Sequence, residues 1–339
     1  MQQIGMFDVS IRLNKIDQNG DPLKRLNEVV NWETFRPILE KIRQKKRKSN
    51  AGRKPFDVVL MFKILILQSL YNLSDDATEM QILDRLSFMR FLGLGIGDRV
   101  PDAKTIWLFR EQLKEAGILP ELFHQFDSFL RKHGFEARKG QIVDASIVSV
   151  PKQKNNRDQN AKIKSGEEVD GWSDAQRRQK DTEARWTRKH GKAYFGYKNH
   201  VSIDVEHKFI RKFVVTDASV HDGQVLKDVL DDHNTSRKVW ADSAYRSRKN
   251  LLYLCLNGFK EHIQRKGCRY DKLTQKEKRG NRTKSRIRSR IEHVFGVQLQ
   301  RAGTLIVRTI GLARAWIKIG LRNLSYNLDR YSLLVSRAG

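Results

Sequence analysis

The chain has 339 residues, 39% of them hydrophobic, enough for one large or two ordinary domains with a sizeable core, and wholesale disorder is excluded. Sixty-six lysines and arginines oppose 39 acids, a net charge of +27. A field of that size attracts phosphates and points to a nucleic-acid partner, without saying whether chemistry follows.

Residues up to about Gly134 read as helical. Pro22–Lys46 begins as an amphipathic helix and ends in the basic tract Arg43–Lys54, where Gly52 and Pro55 break it. That tract is either an arm that tracks phosphates or a solvated linker. Phe56–Tyr71 reads as a buried helix; Lys63, Gln68 and Asn72 interrupt the apolar run Val58–Leu73, which is too short and polar for a membrane span. Ser74 caps a helix from Asp75 towards Arg85, Phe88–Leu94 is a short apolar continuation, and Asp102 caps Ala103–Ala116, with Lys104, Thr105, Trp107, Arg110 and Glu111 on its early turns. Short helices with tight turns fit a helix-turn-helix with Ala103–Ala116 as the reading helix, or an all-α packing domain without one.

From Arg138 the pattern becomes strand-like. Gln141–Val150 is an apolar, β-branched strand, and Lys198–Val205 and Phe209–Thr216 read as a hairpin around Glu206-His207-Lys208. Val225–His233 reads as a helix with Asp222 as a plausible cap, Lys238–Trp240 as a short strand and Ser247–Asn257 as a helix. The polar stretch Lys152–Arg185 reads as a loop or insertion. The two cysteines, Cys255 and Cys268, form no CxxC pair, and Met1–Ser10 has no basic-then-apolar leader. The expectation is a cytoplasmic, nucleoid-associated protein with reduced thiols and no membrane partner.

Two of these strands carry an oddity. Ile142-Val-Asp144-Ala-Ser-Ile-Val148 and Val239-Trp-Ala-Asp242-Ser-Ala-Tyr245 each place an aspartate inside a run that otherwise wants burial. A desolvated carboxylate costs several kcal/mol unless compensated. Either aspartate alone reads as a strand-end cap or an arginine partner; two in one basic chain are explained more simply by a shared divalent cation. A third acid stands out differently. Lys260–Arg301 holds fourteen Lys or Arg against four acids, and Glu292 is the only carboxylate in the helix-like stretch Arg282–Arg301. It shares a stripe with Arg288 and Phe295, so it is either half of a surface ion pair or carried inward by Ile291, Val294 and Phe295. Three carboxylates without thiols or a histidine cage suit Mg²⁺ or Mn²⁺, which prefer oxygen, and such ions in pairs support in-line displacement at phosphorus.

Gln141-Ile-Val-Asp144-Ala-Ser, Val239-Trp-Ala-Asp242-Ser-Ala-Tyr245-Arg and Arg290-Ile-Glu292-His-Val-Phe295 resemble the three catalytic segments of bacterial insertion-sequence transposases of the DDE superfamily, in the group typed by insertion sequence five. Gly196-Tyr-Lys-Asn-His200, Ala218-Ser-Val-His221-Asp222 and Asp84–Gly93 support the likeness, which covers nearly the whole chain.

The resemblance implies an α+β chain: an all-α DNA-binding region, 1–137, then an RNase H-like catalytic domain, 138–339, with a polar insertion at about 152–190. In that mixed sheet flanked by helices, Asp144 lies on the first strand, Asp242 after the fourth and Glu292 on a later helix. It further implies that Asp144, Asp242 and Glu292 are catalytic and hold two Mg²⁺ or Mn²⁺ ions. The enzyme is then expected to cut at the terminal inverted repeats of its element and transfer the 3′-hydroxyl ends to target DNA. Two ends in one complex imply a homodimer or higher oligomer on double-stranded DNA. The related signature Tyr-x2-Arg-x3-Glu-x6-Lys is incomplete: Arg288 and Glu292 match its centre, but Ser285 and Leu299 hold the outer positions.

The segment Arg185–Lys198 interleaves rings with cations, as grooves for distorted DNA do, and makes Arg185, Lys192 and Lys198 candidate DNA contacts; Arg288 is a fourth. Phe195 and Trp240 read as core. A catalytically silent DNA-binding repressor is the alternative function, disfavoured because a pure binder gains nothing from three costly carboxylates.

Overall fold

The computed structural model describes residues 7–43, 54–189, 191–268, 270–303 and 306–338. Residues 44–53 of the basic tract and His190 of the ring-and-cation segment lie outside them. Contacts divide the chain into two compact units, Met1–Ser128 with Leu321–Gly339, and Phe129–Gly320. The last residues of the helix Leu312–Ala338 therefore count with the helical unit.

The first unit is helical. Its central helix, Val58–Tyr71, is buried on nearly every side, and Asp57 caps it by accepting from Val59 and Leu60 N–H. Among the described residues no single helix is long and apolar enough to cross a membrane. The expected long helix from Pro22 is instead Pro22–Val29 followed by short turns, because Asn31 caps a new start by accepting from Glu33 N–H. Ser74 and Asp102 cap Asp75–Asp84 and Ala103–Ala116 as expected. On the latter helix Lys104 and Trp107 face solvent, but Arg110 is buried, paired with Asp75 at 2.7 Å, and Glu111 is buried beside Lys114. Two of the five residues named on its early turns therefore belong to the packing.

The second unit is built on a mixed six-stranded sheet: β1 (Gln141–Ser149), β2 (Arg185–Lys189), β3 (Lys192–Asp204), β4 (Ile210–Asp217), β5 (Lys238–Ala241) and β6 (Lys260–Ile263). Strand β3 runs antiparallel to β1, β2 and β4, while β5 is parallel to both β1 and β6. Setting aside β2, Asp144 lies on the first strand, Asp242 directly follows the fourth, and Glu292 is on a later helix. That is the RNase H-like arrangement the motifs implied.

Strand alternation sends successive β1 side chains to opposite faces. Val143 packs with Val239, Ala241, Leu226, Leu254 and Tyr245 on one face. Asp144 faces the other, where the helices Gln275–Arg288 and Arg290–Ala302 pack against β5 and β1. Gly140 lets β1 approach β5: its φ is +95°, and a Cβ there would meet the Lys238 carbonyl at 2.5 Å and the Trp240 ring at 2.6 Å. Asp204, fully buried at the β3–β4 turn, accepts from Phe209 N–H and from Arg211 at 2.9 Å, so the hairpin carries its own charge compensation.

Several elements differ from expectation. The stretch 152–185 contains the helices Arg157–Ser165 and Asp174–Gln179, each started by a capping box, Asn156 with Gln159 and Ser173 with Gln176. Val225–His233 shrinks to the single turn Leu226–Val229, preceded by a 3₁₀ turn that His221, not Asp222, caps through Nδ1. Strand β6 was not anticipated; with four residues it is too short to show a period. The helix-like stretch around Glu292 breaks at Ser289 into two helices.

Candidate active site

Gln141 pairs with Val239 and Ile142 with Trp240 on parallel neighbours. The same offset of 98 residues separates Asp144 from Asp242, so carrying the register two residues on sets the two aspartates level, just past the end of β5. Adjacent strands lie roughly 4.8 Å apart, and level residues on parallel strands face the same side. Asp242 caps the 3₁₀ turn Ser243–Tyr245 by accepting from Ala244 N–H at 2.8 Å. Gly223 allows the loop before it to press against that turn, since a Cβ there would meet the Ala244 carbonyl at 2.7 Å.

Arg288 links the third acid to the first. One guanidinium nitrogen donates to Asp144 Oδ2 at 2.8 Å and the other to Glu292 Oε1 at 3.0 Å, one helical turn along. Asp144 and Arg288 are mostly covered, at 15% and 19% side-chain exposure, whereas Glu292 is 61% exposed. Burial pushes the Asp144 carboxyl up to about 6; the Ala145 N–H and Arg288 oppose that shift, the charge of Asp242 adds to it, and Lys189 opposes it. The site thus gathers negative charge where water cannot solvate it well, and a single arginine supplies the nearest compensation.

Around this pair the hydrogen bonding is incomplete. Ser146 Oγ, on the next β1 position facing the same way, has no partner among the described residues, nor does Arg288 Nε. The Tyr245 hydroxyl, fully buried within electrostatic reach of Asp144, Asp222 and Asp242, likewise has none. Burial foremost, then those three charges, holds its phenol well above the usual range. Tyr245 belongs to the Asp242 motif, but the pattern of residues alone marks it only as apolar core.

Among the described residues no three His, Cys, Asp or Glu side chains converge tightly enough to enclose a metal ion. The expected meeting of all three acids is therefore not seen: Asp144 and Asp242 lie within electrostatic reach of each other, while Glu292 is held on Arg288. The donor chemistry still fits a hard divalent cation, because the level aspartates supply only oxygen, carry like charge in a desolvated place and stand among orphaned polar atoms.

The candidate DNA contacts separate. Arg185 donates to the carbonyls of Thr182, Ala184 and Ile163, clamping the start of β2 to the segment just before it and to the helix Arg157–Ser165. Lys198 is nearly covered and pairs with Asp222 at 2.9 Å, also donating to the Val220 carbonyl. Lys192 is exposed at the tip of the β2–β3 hairpin, and Arg288 is inside the site. Phe195 is buried beneath Trp186, and Trp240 is buried against His262.

The family described as "Transposase DDE domain" matches residues 136–328, more than half of the chain and all of the sheet. The chain belongs to the DDE transposase family. A second family, "Transposase domain (DUF772)", matches residues 11–112, within the helical unit. The transposase is also similar to the piggyBac transposase in its synaptic complex with hairpin DNA, at 12% identity and a TM-score of 0.45, over 94% of this chain and 76% of that one. The chain is a DNA transposase, an enzyme acting on DNA, from a family that generally uses divalent metal ions.

Proposed function

We propose that this transposase cuts DNA at the terminal inverted repeats of its insertion sequence and joins the freed 3′-hydroxyl ends to target DNA, with Asp144, Asp242 and Glu292 as its catalytic carboxylates. One observation carries this reading: Asp144 on β1 and Asp242, just past the end of the neighbouring parallel strand β5, lie within electrostatic reach of each other, and an arginine ties the first to Glu292. In the first reaction water attacks phosphorus in line, the bond to the 3′ oxygen breaks, and that oxygen leaves as a hydroxyl. In the second, this 3′-hydroxyl attacks a target phosphodiester, forming a new P–O bond as the target's own 3′ oxygen departs.

Asp144 and Asp242 would hold divalent cations, Mg²⁺ or Mn²⁺ and two in number, with Glu292 completing the set once Arg288 releases it. Such ions supply the Lewis acidity and charge neutralisation that in-line displacement needs. The protein's own share is positioning. The sheet register fixes the aspartates, the surrounding core excludes water, and Arg288 keeps Glu292 within one guanidinium's span of Asp144. Above pH 6 the Asp144 carboxyl is ionised and ready to serve as a donor. The helical region up to 137 would bind the element's ends, and two ends in one complex call for at least a dimer on chromosomal DNA in the cytoplasm.

Incubating the transposase with end-bearing DNA and Mg²⁺, beside Asp242→Ala, tests the reading. Cutting by the wild type alone supports it. Binding by both with cutting by neither would leave a DNA-binding repressor.

A further inference from the structure

The helix Gln275–Arg288 packs beside the site yet buries none of its residues. At 3.6 residues per turn its positions fall into two arcs. One arc carries Gly280, Glu277, Asn281, Lys284, Ile287 and Arg288, and it is tied down by polar bonds. Asn281 both accepts from the Arg265 N–H, at 2.9 Å, and donates to its carbonyl, at 2.8 Å. Lys284 donates to the Ile263 carbonyl at 2.8 Å, Glu277 pairs with Arg265, and Arg288 holds Asp144. These bonds fix the helix against rotation about its axis.

The opposite arc, about 160° wide by the same geometry, carries Lys276, Lys278, Arg279, Arg282 and Arg286, all exposed, with Thr283 among them. No carboxylate shares that arc, and among the described residues none of the five side chains has an ion-pair partner. A merely solvated helix face usually interleaves acids with bases, since like charges three or four residues apart each cost a few tenths of a kcal/mol. Lys278, Arg282 and Arg286 follow one another at four-residue steps, so this helix carries that cost without relief from its own chain.

We propose that this outward arc is a rail for the phosphate backbone of duplex DNA, leading the strand to be cut towards Asp144 and Asp242. From Lys276 to Arg286 the helix rises about 15 Å, at 1.5 Å per residue. One DNA strand presents a phosphate about every 3.4 Å along its axis, so the rail spans roughly four to five phosphates. Arg288, less than one turn beyond Arg286 and turned inward, joins the rail to the carboxylates. The five cations touch no base in this role and confer affinity and register rather than sequence preference.

The inference rests on the transposase reading but fails separately from it. Binding of a fluorescein-labelled DNA duplex, followed by anisotropy over a series of NaCl concentrations, is compared for three proteins. These are the wild type, a variant with all five residues changed to Gln, and a variant with Lys276 and Lys278 changed to Arg and the three arginines to Lys. Every phosphate that the protein ceases to neutralise flattens the slope of log K against log salt by about 0.9. The Gln variant should therefore lose about 4 from the slope, and the charge-keeping variant should retain it. An unchanged slope in the Gln variant overturns the rail and leaves the transposase reading standing; no salt-dependent binding by the wild type sinks both. Should the fivefold variant not fold, Arg282→Gln and Arg286→Gln singly must each flatten the slope by about one, and failure of both to do so also overturns the rail.

Discussion

Replacing Asp144 by Asn should stabilise the free transposase at neutral pH while disabling it. The carboxyl sits at about 6 in the folded chain against 3.8 for an ordinary aspartate. A group whose folded value is raised holds its proton more tightly when folded. Its stabilising contribution is complete below pH 3.8 and is lost as the pH rises through 6. The difference of about two pH units corresponds to about 3 kcal/mol at 1.36 kcal/mol per unit, charged against the wild type above pH 6. Asparagine keeps the shape and never ionises. Urea unfolding of the unit that holds Asp144, at pH 4 and pH 8 without divalent ions, should show the two proteins nearly equal at pH 4 and the Asn variant more stable by about 3 kcal/mol at pH 8. A variant less stable than wild type at pH 8, or one whose advantage is the same at both pH values, would refute the reasoning. The first result would mean that the Arg288 pair outweighs desolvation.

Mn²⁺ at a hundredfold excess over its dissociation constant should raise wild-type stability by about 2.7 kcal/mol, and this gain should vanish in Asp144→Asn or Asp242→Asn, read by thermal unfolding. Tyr245→Phe removes a buried hydroxyl that lacks a partner, so it should leave stability unchanged or raise it by about 1 kcal/mol; a large loss would reveal a hidden hydrogen bond. Gly140→Ala forces a Cβ into the Lys238 carbonyl at a positive φ and should destabilise the sheet by about 2–4 kcal/mol, measured by denaturant titration.

How far these features are legible in the sequence differs from element to element. The aspartates announce themselves because a carboxylate inside an apolar strand contradicts burial, and the 98-residue spacing already equals the register of the sheet. Glu292 is visible as a lone acid in a basic stretch. Its attachment to Arg288 was readable as an i,i+4 pair, but that Arg288 also reaches Asp144 is a long-range fact which no local pattern carries. The helices within 152–185 were hidden by polarity, although both capping boxes stood in plain view as Asn-x-x-Gln and Ser-x-x-Gln. Arg185 and Lys198 looked like DNA contacts because composition cannot distinguish a free cation from one clamping carbonyls or paired with Asp222. The same blindness hid the two arcs of Gln275–Arg288: the excess charge was countable, but its separation into a tethered face and a bare one depends on what the helix packs against.

The most direct measurement is strand transfer by Asp144→Asn, Asp242→Asn, Glu292→Gln and the Asp144/Asp242 double variant, each shown in parallel to bind end-bearing duplex. If the three carboxylates act as one unit, every single variant should lose about 10³-fold or more in joining, and the double variant little further, because parts of one machine fail together. Joining at the wild-type rate by any one of them would take that residue out of the centre, and stepwise, multiplying losses would show three sites working apart.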